Sequence, residues 1–287
     1  MPRHDLTKPF KFYIMTIDQH TKLYGVVGFP IAHSLSPLIQ NSALSAKGVN
    51  AVYLAFETKD IAGCIKGMKS LDIKGLSVTI PHKSSVLPLL DEIDVLAEKI
   101  GAVNTVVNDN GRLIGYNTDA VGALKALEEK IDLRNKTGLI IGAGGAARAI
   151  GFVLKENGVS ISVVNRSEDR GRDLALALNC PFVPLSNIKK EEADILIQTT
   201  SVGMHPHDDQ CIVPESVLKK EMAVMDIIYN PIETTLMKLA KKKGCLTING
   251  LGMFIHQGAE QFRLWTGLEP PVKIMTRVAT QALGSSS

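Results

Sequence analysis

Apolar residues along this chain come in short β-branched runs separated by stretches of helical spacing. LYGVVGF (23–29), AVYLAFE (51–57) and GLSVTI (75–80) each read as a strand. Between them, PLIQNSALSAKG and DIAGCIKGMKS place apolar positions at helical intervals, with Gly48 as a helix stop. Strand alternating with helix predicts βαβ units and a mostly parallel sheet. AVNTVVNDNGRLIGYNTD departs from that alternation and reads as two strands about Asn110-Gly111, a dipeptide that favours a tight hairpin turn. A helix is expected after Asp119, through AVGALKALEEK.

A second series starts at KTGLIIGAGGAARAIGFVLKENGVSISVVNRSE, which reads as strand, glycine-rich turn, helix, Gly158 stop and strand. ADILIQTT (193–200), AVMDII (223–228) and CLTI (245–248) are further strands, and two helices close the chain. Two such series predict two α/β domains with a cleft between them. The boundary is expected near Thr118–Asp119, and the terminal helices are expected to pack back on the first unit. The division is therefore residues 1–118 with 251–287 as one domain and 119–250 as the other.

Composition narrows the function classes. At 287 residues the chain can bury a sizeable core, and its 45% apolar and 21% charged residues describe an ordinary globular protein. A net charge of +3 is too small to argue for nucleic acid or an anionic membrane surface as partner. No apolar run approaches the length of a bilayer span, and the N-terminal stretch lacks the pattern of a secretion signal, so the cytoplasm is the expected compartment. Cys64, Cys180, Cys211 and Cys245 form no C-x-x-C pair and are expected as reduced, mostly buried thiols. His205 and His207 sit in a Gly/Pro/Asp loop with no third ligand nearby, so no metal site is expected.

Gly142-Ala143-Gly144-Gly145-Ala146-Ala147 fits G-x-G-x-x-A directly after Leu139-Ile140-Ile141. The first glycine permits the tight turn, the second lets backbone approach a pyrophosphate, and Ala147 allows close helix–strand packing. Strand, turn, helix and second strand all fall within about 30 residues, as a dinucleotide-binding Rossmann unit requires. An NAD site carries an acidic residue at the end of the second strand for the ribose hydroxyl. This chain has Asn165, Arg166 and Ser167 there, and a guanidinium suits a 2′-phosphate, which favours NADP. Glu168 and Asp169 come later and suit the start of the next helix.

Two stretches of the first series carry candidate chemistry. In SVTIPHKSS, Pro81 ends the ladder and His82-Lys83 follow at the rim of the sheet, so Lys83 is either a solvated loop lysine or a side chain the strand aims. In GFPIAHSLSPLIQN, Ser36 before Pro37 reads as a helix N-cap, with Ser34 solvated. The competing reading takes the two hydroxyls, at a positive helix terminus, as a carboxylate site.

PIAHSLSP, SVTIPHK, GAVNT, GYNTDAVG, GAGGAARA, NRS, TTSVGM, DIIYNP and NGLGMFIHQGAEQF occur here in the order seen in shikimate dehydrogenases, which the chain resembles from about Tyr24 to its last helices. The resemblance implies an N-terminal α/β substrate domain, a C-terminal Rossmann NADP domain, and the NADPH-dependent reduction of 3-dehydroshikimate to shikimate in aromatic amino-acid biosynthesis. By motif, Ser34 and Ser36 would bind the substrate carboxylate, which favours the second reading of that loop. Thr79, Asn104, Asp119 and Gln257 would hold ring hydroxyls, Tyr229 would close over the substrate, and Lys83 would be the acid/base with Asp119 as partner. Gly142, Ala143, Gly144, Gly145 and Ala146 would line the pyrophosphate. Asn165, Arg166 and Ser167 would hold the adenosine end, with Ile227 and Gly250 near the nicotinamide. Ser167 stands where the family often has Thr, and Ile227 where Met is common.

The family's alternative activity is a quinate/shikimate dehydrogenase with broader substrate or NAD use. A ligand sensor on a disabled scaffold would lack Lys83 or Asp119, and both are present. Methylenetetrahydrofolate dehydrogenase shares the domain plan without the HSLSP or NTDAVG motifs. The partner expected is a small molecule, the assembly a monomer or homodimer. The segment before Leu23 resembles the joint seen where the family is fused behind a dehydroquinase, and the final GSSS reads as an unstructured tail.

Overall fold

The computed structural model describes residues 17–284. The expectations about the N-terminal stretch and the serine tail lie outside the described residues. Chain order in the first unit is β1 (Lys22–Gly28), α1 (Ser36–Ala46), β2 (Ala51–Glu57), α2 (Ile61–Ser70), β3 (Gly75–Val78), β4 (Glu92–Ile93), α3 (Val95–Ile100), β5 (Thr105–Asp109) and β6 (Arg112–Tyr116). Helix α4 (Thr118–Glu128) leads into β7 (Thr137–Ile141), α5 (Gly145–Glu156), β8 (Ser160–Asn165), α6 (Glu168–Ala177) and β9 (Phe182–Pro184). There follow β10 (Ile195–Gln198), β11 (Ala223–Asp226), α7 (Thr235–Lys242), β12 (Leu246–Ile248), α8 (Gly250–Thr266) and α9 (Val272–Gly284).

The first sheet has the order β2-β1-β3-β5-β6-β4. The pairings of β1 with β2 and β3 and of β4 with β6 are parallel, and β5 runs antiparallel to both β3 and β6. The antiparallel insert follows from the hairpin, where Asp109 faces Arg112 and both Asn110 and Gly111 take positive φ. The second sheet, β12-β11-β10-β7-β8-β9, is parallel throughout. Its strand order reverses between β7 and β10, which places a ligand crevice at their carboxyl ends, as in doubly wound dinucleotide folds.

Three expected strands stop early, each for a local reason. Past Val78 the chain makes two more ladder bonds, Thr79 N–H to Val27 O and Phe29 N–H to Ile80 O, before leaving the sheet with Ile80 exposed. After β10, the Gln198 amide turns inward and donates to Thr200 O and Val202 O, both at 3.1 Å. After β11, the Asp226 carboxylate takes the Ile228 N–H at 3.1 Å, so that donor leaves the ladder.

Helices α8 and α9 return to the first sheet. Phe254, Ile255, Phe262, Met275 and Ala279 join Tyr24, Val26, Ile39, Ala43 and Tyr53 in one apolar cluster. Each fully buried large side chain there contributes roughly 1.5–3 kcal/mol. Between the two units lies a smaller cluster of Ile100, Ala102, Ala120, Ala149 and Val153, carried by α3 and the turn after it, α4 and α5. Of the four thiols, which form no disulfide, only Cys245 is buried; Cys64, Cys180 and Cys211 are half-buried, a correction to the expectation of mostly buried thiols.

Candidate active site

Lys83 leaves the first sheet on the loop after β3, and its carbonyl accepts the Val103 N–H at 2.8 Å. That bond puts Lys83 beside Asn104, whose own N–H reaches Tyr116 O at 3.0 Å. Asp119 stands in the first turn of α4, a helix capped by Asn117, which accepts the Ala120 N–H at 3.2 Å and donates to Ala102 O at 2.8 Å. The Lys83 Nζ donates to Asp119 Oδ2 at 2.5 Å, with 18% and 9% of the two side chains exposed. Asn104 Oδ1 accepts the Thr118 N–H at 2.7 Å, immediately before Asp119. Three residues from different parts of the first series therefore converge on one point.

Ser34 and Ser36 sit at the start of α1, but not as a capping pair. The helix begins at Ser36 itself, with Leu35 at the N-cap position and no side-chain cap. The Ser36 N–H instead donates to Ser34 Oγ at 3.2 Å. This corrects the expectation that Ser36 caps the helix, and neither hydroxyl is held by a capping bond. Tyr229 stacks on Phe254 with centroids 4.5 Å apart. Burial pushes the pKa of its hydroxyl up. Thr79 is half-buried at the exit of β3, and its carbonyl accepts the His82 N–H at 2.8 Å. Gln257 lies on α8 against α4, where a Cβ on Gly122 would fall 2.7 Å from Met253 O and 2.9 Å from Gln257 Cβ. Gly122, one turn after Asp119, thus permits the approach that brings Gln257 to the same side of the molecule.

On the second sheet, Gly142 takes φ +119° and a Cβ there would meet Thr199 Oγ1 at 2.4 Å. Gly144 is the N-cap of α5, and nothing would meet its Cβ within 4 Å. The turn formed by Gly142, Ala143, Gly144, Gly145 and Ala146 therefore offers open space at a helix N-terminus, which fits a pyrophosphate. A Cβ on Gly145 would lie 3.5 Å from Lys83 Cδ, so the lysine stem passes over this turn. Asn165 ends β8 and donates from Nδ2 to Ser167 O at 2.8 Å, leaving Arg166 and Ser167 exposed at the rim. Glu168 and Asp169 fall in the first turn of α6, where Glu168 pairs with Arg172 at 2.9 Å. Ile227 and Gly250 touch directly: a Cβ on Gly250 would fall 2.1 Å from Ile227 O.

Three features had no assigned place in the sequence reading. Thr199, in the quoted motif TTSVGM, walls the glycine turn and donates to Ile141 O at 2.7 Å. Asp226 is fully buried, accepts the Thr234 hydroxyl at 2.7 Å, and ties down the segment that carries Ile227 and Tyr229. Burial raises its pKa to about 6, against the two hydrogen bonds that lower it. Gln261 and Ser77 form a buried pair, Ser77 Oγ donating to Gln261 Oε1 at 2.8 Å. For Asp226 and Ser77 the signal available was a polar residue inside an otherwise apolar run.

A glycine turn at the switch point of a parallel sheet, faced by a lysine–carboxylate pair from a second sheet, defines the class of two-unit dinucleotide-dependent oxidoreductases. Family models agree along most of the chain. The shikimate dehydrogenase substrate binding domain matches residues 26–106, shikimate / quinate 5-dehydrogenase matches 123–243, and the shikimate 5′-dehydrogenase C-terminal domain matches 250–280. Shikimate dehydrogenase (NADP(+)) of Moorella thermoacetica is 42% identical, covering 96% of this chain and 98% of that protein. The Methanocaldococcus jannaschii enzyme of the same name is 46% identical over 90% of this chain and 96% of its own. A Thermus thermophilus shikimate 5-dehydrogenase solved with NADP(H) and shikimate superposes with a TM-score of 0.86 at 38% identity, covering 92% of this chain and 100% of that one. The chain belongs to the shikimate dehydrogenase family.

Proposed function

We propose that the protein reduces 3-dehydroshikimate to shikimate with NADPH, reversibly, as a step of aromatic amino-acid biosynthesis. The observation that carries this reading is the Lys83–Asp119 contact of 2.5 Å, made where the lysine stem crosses the glycine turn. A proton donor held at that place lies between the expected substrate pocket and the cofactor turn.

The reduced nicotinamide, when bound, supplies the hydride. Ser34 and Ser36 bind the substrate carboxylate through hydroxyls that no helix cap consumes. Thr79, Asn104 and Gln257 orient the ring hydroxyls, and Tyr229 covers the substrate from the second unit. As hydride reaches the carbonyl carbon, the Lys83 ammonium gives a proton to the developing alkoxide and is left as the amine; oxidation runs the same transfer backwards. Asp119 holds the ammonium in place. Arg166, with Asn165 and Ser167, takes the adenosine end and its 2′-phosphate, and Ile227 and Gly250 border the nicotinamide. In this reading residues 119–250 are the cofactor domain and the remainder the substrate domain. The protein works in the cytoplasm as a monomer or homodimer.

Mixing the protein with shikimate and NADP and following absorbance of the reduced cofactor tests the activity; no increase would refute it. The same assay with quinate and with NAD separates a strict shikimate enzyme from the broader quinate/shikimate type. That comparison has a specific motive: quinate dehydrogenase of Corynebacterium glutamicum, solved with NAD, superposes with a TM-score of 0.85 at 33% identity over 91% of this chain and 99% of that one.

A further inference from the structure

We propose that Gln261 is a positioning residue which, through Thr105, fixes the direction of the Asn104 side-chain amide; its catalytic consequence rests on the reading of Asn104 as a substrate contact. Gln261 projects from α8 and is 2% exposed. Its Nε2 donates to the backbone carbonyl of Asn104 at 3.3 Å and to Thr105 Oγ1 at 3.0 Å. A carbonyl only accepts, so the nitrogen of the Gln261 amide faces Asn104 and its oxygen faces Ser77. Ser77 must then donate, which it does at 2.8 Å, while its oxygen accepts from the Tyr53 hydroxyl at 2.6 Å.

On the other side the same logic fixes a second hydroxyl. Thr105 Oγ1 accepts from Gln261, and its own hydrogen goes to Asn104 Oδ1 at 2.8 Å, a shorter contact than the 3.2 Å to Thr118 Oγ1. Asn104 Oδ1 also accepts the Thr118 N–H at 2.7 Å. Thr105 Oγ1 and the Thr118 N–H therefore converge on Oδ1, with Thr118 Oγ1 a further donor at 3.2 Å; a flipped amide would set N–H against the Thr118 N–H and would force the Thr105 hydroxyl to turn its hydrogen away from the Asn104 amide. Nδ2 faces Thr118 Oγ1 at 3.0 Å with one hydrogen and keeps the other for a ligand. Tyr53, Ser77, Thr105 and Thr118 are all buried, so bulk water does not replace a missing partner.

The test uses Gln261→Met, which keeps length and burial, and Thr105→Val, which removes one hydroxyl and keeps shape. The first readout needs no ligand: hydrogen exchange of the Asn104 side-chain amide by ¹⁵N NMR. Thr105→Val removes a donor to Oδ1, and Gln261→Met removes the bond that orients that donor, so the exchange should speed about tenfold in both variants. Tyr53→Phe should leave it near the wild-type rate, because the Asn104 carbonyl, not Tyr53, orients Gln261. The second readout is kinetic: kcat/KM for shikimate should fall about tenfold in both variants while NADP affinity holds. Asn104→Ala should cost less in the Thr105→Val background than alone. Unchanged amide exchange in Gln261→Met and Thr105→Val would overturn the positioning role. So would an equal acceleration in Tyr53→Phe, which would mark a general packing effect. If Gln261→Met fails to fold, Thr105→Val decides. If the amide responds but Asn104→Ala leaves kcat/KM unchanged, the positioning stands and the reading of Asn104 as a substrate contact falls.

Discussion

On the side of the first sheet, Lys83, Asn104 and Asp119 present side chains already hydrogen-bonded to protein, whereas on the side of the second sheet the matching positions are glycine backbone and exposed strand ends. A small ring with several hydroxyls differs from its competitors by the placing of single hydrogen bonds. Recognising it needs side chains whose donor and acceptor atoms are fixed beforehand. A dinucleotide presents a pyrophosphate whose charge is met by helix-terminal N–H groups, so the protein must mainly leave room. The two buried carboxylates among the described residues repeat the contrast. Asp119 faces an ammonium, while Asp226 is met by a hydroxyl and one backbone N–H.

The largest effect is expected from Lys83→Ala, which should cut turnover by roughly two to four decades while shikimate affinity falls far less. Asp119→Asn should slow turnover too, and the double variant should lose much less than the product of the single losses. A Lys83→Ala enzyme with normal turnover and collapsed shikimate binding would move Lys83 to the binding set and erase the distinction drawn above.

Asp226→Asn sharpens the contrast between the carboxylates. A carboxyl with its folded pKa raised from 3.8 to about 6 contributes stability when protonated and loses that contribution as pH rises through about 6. The loss amounts to roughly 2–3 kcal/mol between pH 4 and 7, on the scale of 1.36 kcal/mol per pKa unit. Wild-type thermal midpoints should therefore fall relative to Asp226→Asn across that window. Parallel curves would show that the carboxylate is compensated by something other than its two hydrogen bonds.

Gly142→Ala should weaken NADP by about one to two decades, since a methyl group would clash with Thr199 at a positive φ that costs roughly 1–3 kcal/mol. Isothermal titration with shikimate alone should be unaffected, and a loss of shikimate binding would show that the two sides are not independent. The smallest change is expected from Arg166→Ala. The arginine is exposed, so solvent screens its pair with a 2′-phosphate, and NADP affinity should fall about tenfold with NAD unchanged. Equal losses for both cofactors would deny Arg166 that contact.

The strands of both sheets could be read from β-branched runs, and the hairpin from Asn110-Gly111, because these are local signals. Strands β4 and β9 were not, since Glu92-Ile93 is too short to show a period and Phe182-Val183-Pro184 carries a proline that argues against a strand. The glycine turn was legible because its chemistry lies within a few consecutive residues. The Lys83–Asp119 pair was not derivable from spacing: thirty-six residues separate the two, and only the tertiary path through Val103 and Asn117 joins them. Resemblance to the family supplied it. Neither route pointed to Gln261, because its role depends on which atom of an amide faces a carbonyl 157 residues away. Ser36 misled in the other direction. The Ser-Pro pair marks a helix start, but the helix absorbed Ser36 and left the cap position to Leu35.

The chain crosses between its two halves through α4 and returns through α8, and these helices touch at Gly122, where Met253 O leaves no room for a methyl group. Both crossings thus share one seam, and an opening of the halves that keeps this contact would turn about it as a door turns about its pin. Parts near the pin travel least. Asp119, in the turn before Gly122, and Gln257, opposite it, would keep their spacing through each cycle, while Arg166 at the far rim would swing widest. Substrate could then remain seated beside the axis while the cofactor is exchanged.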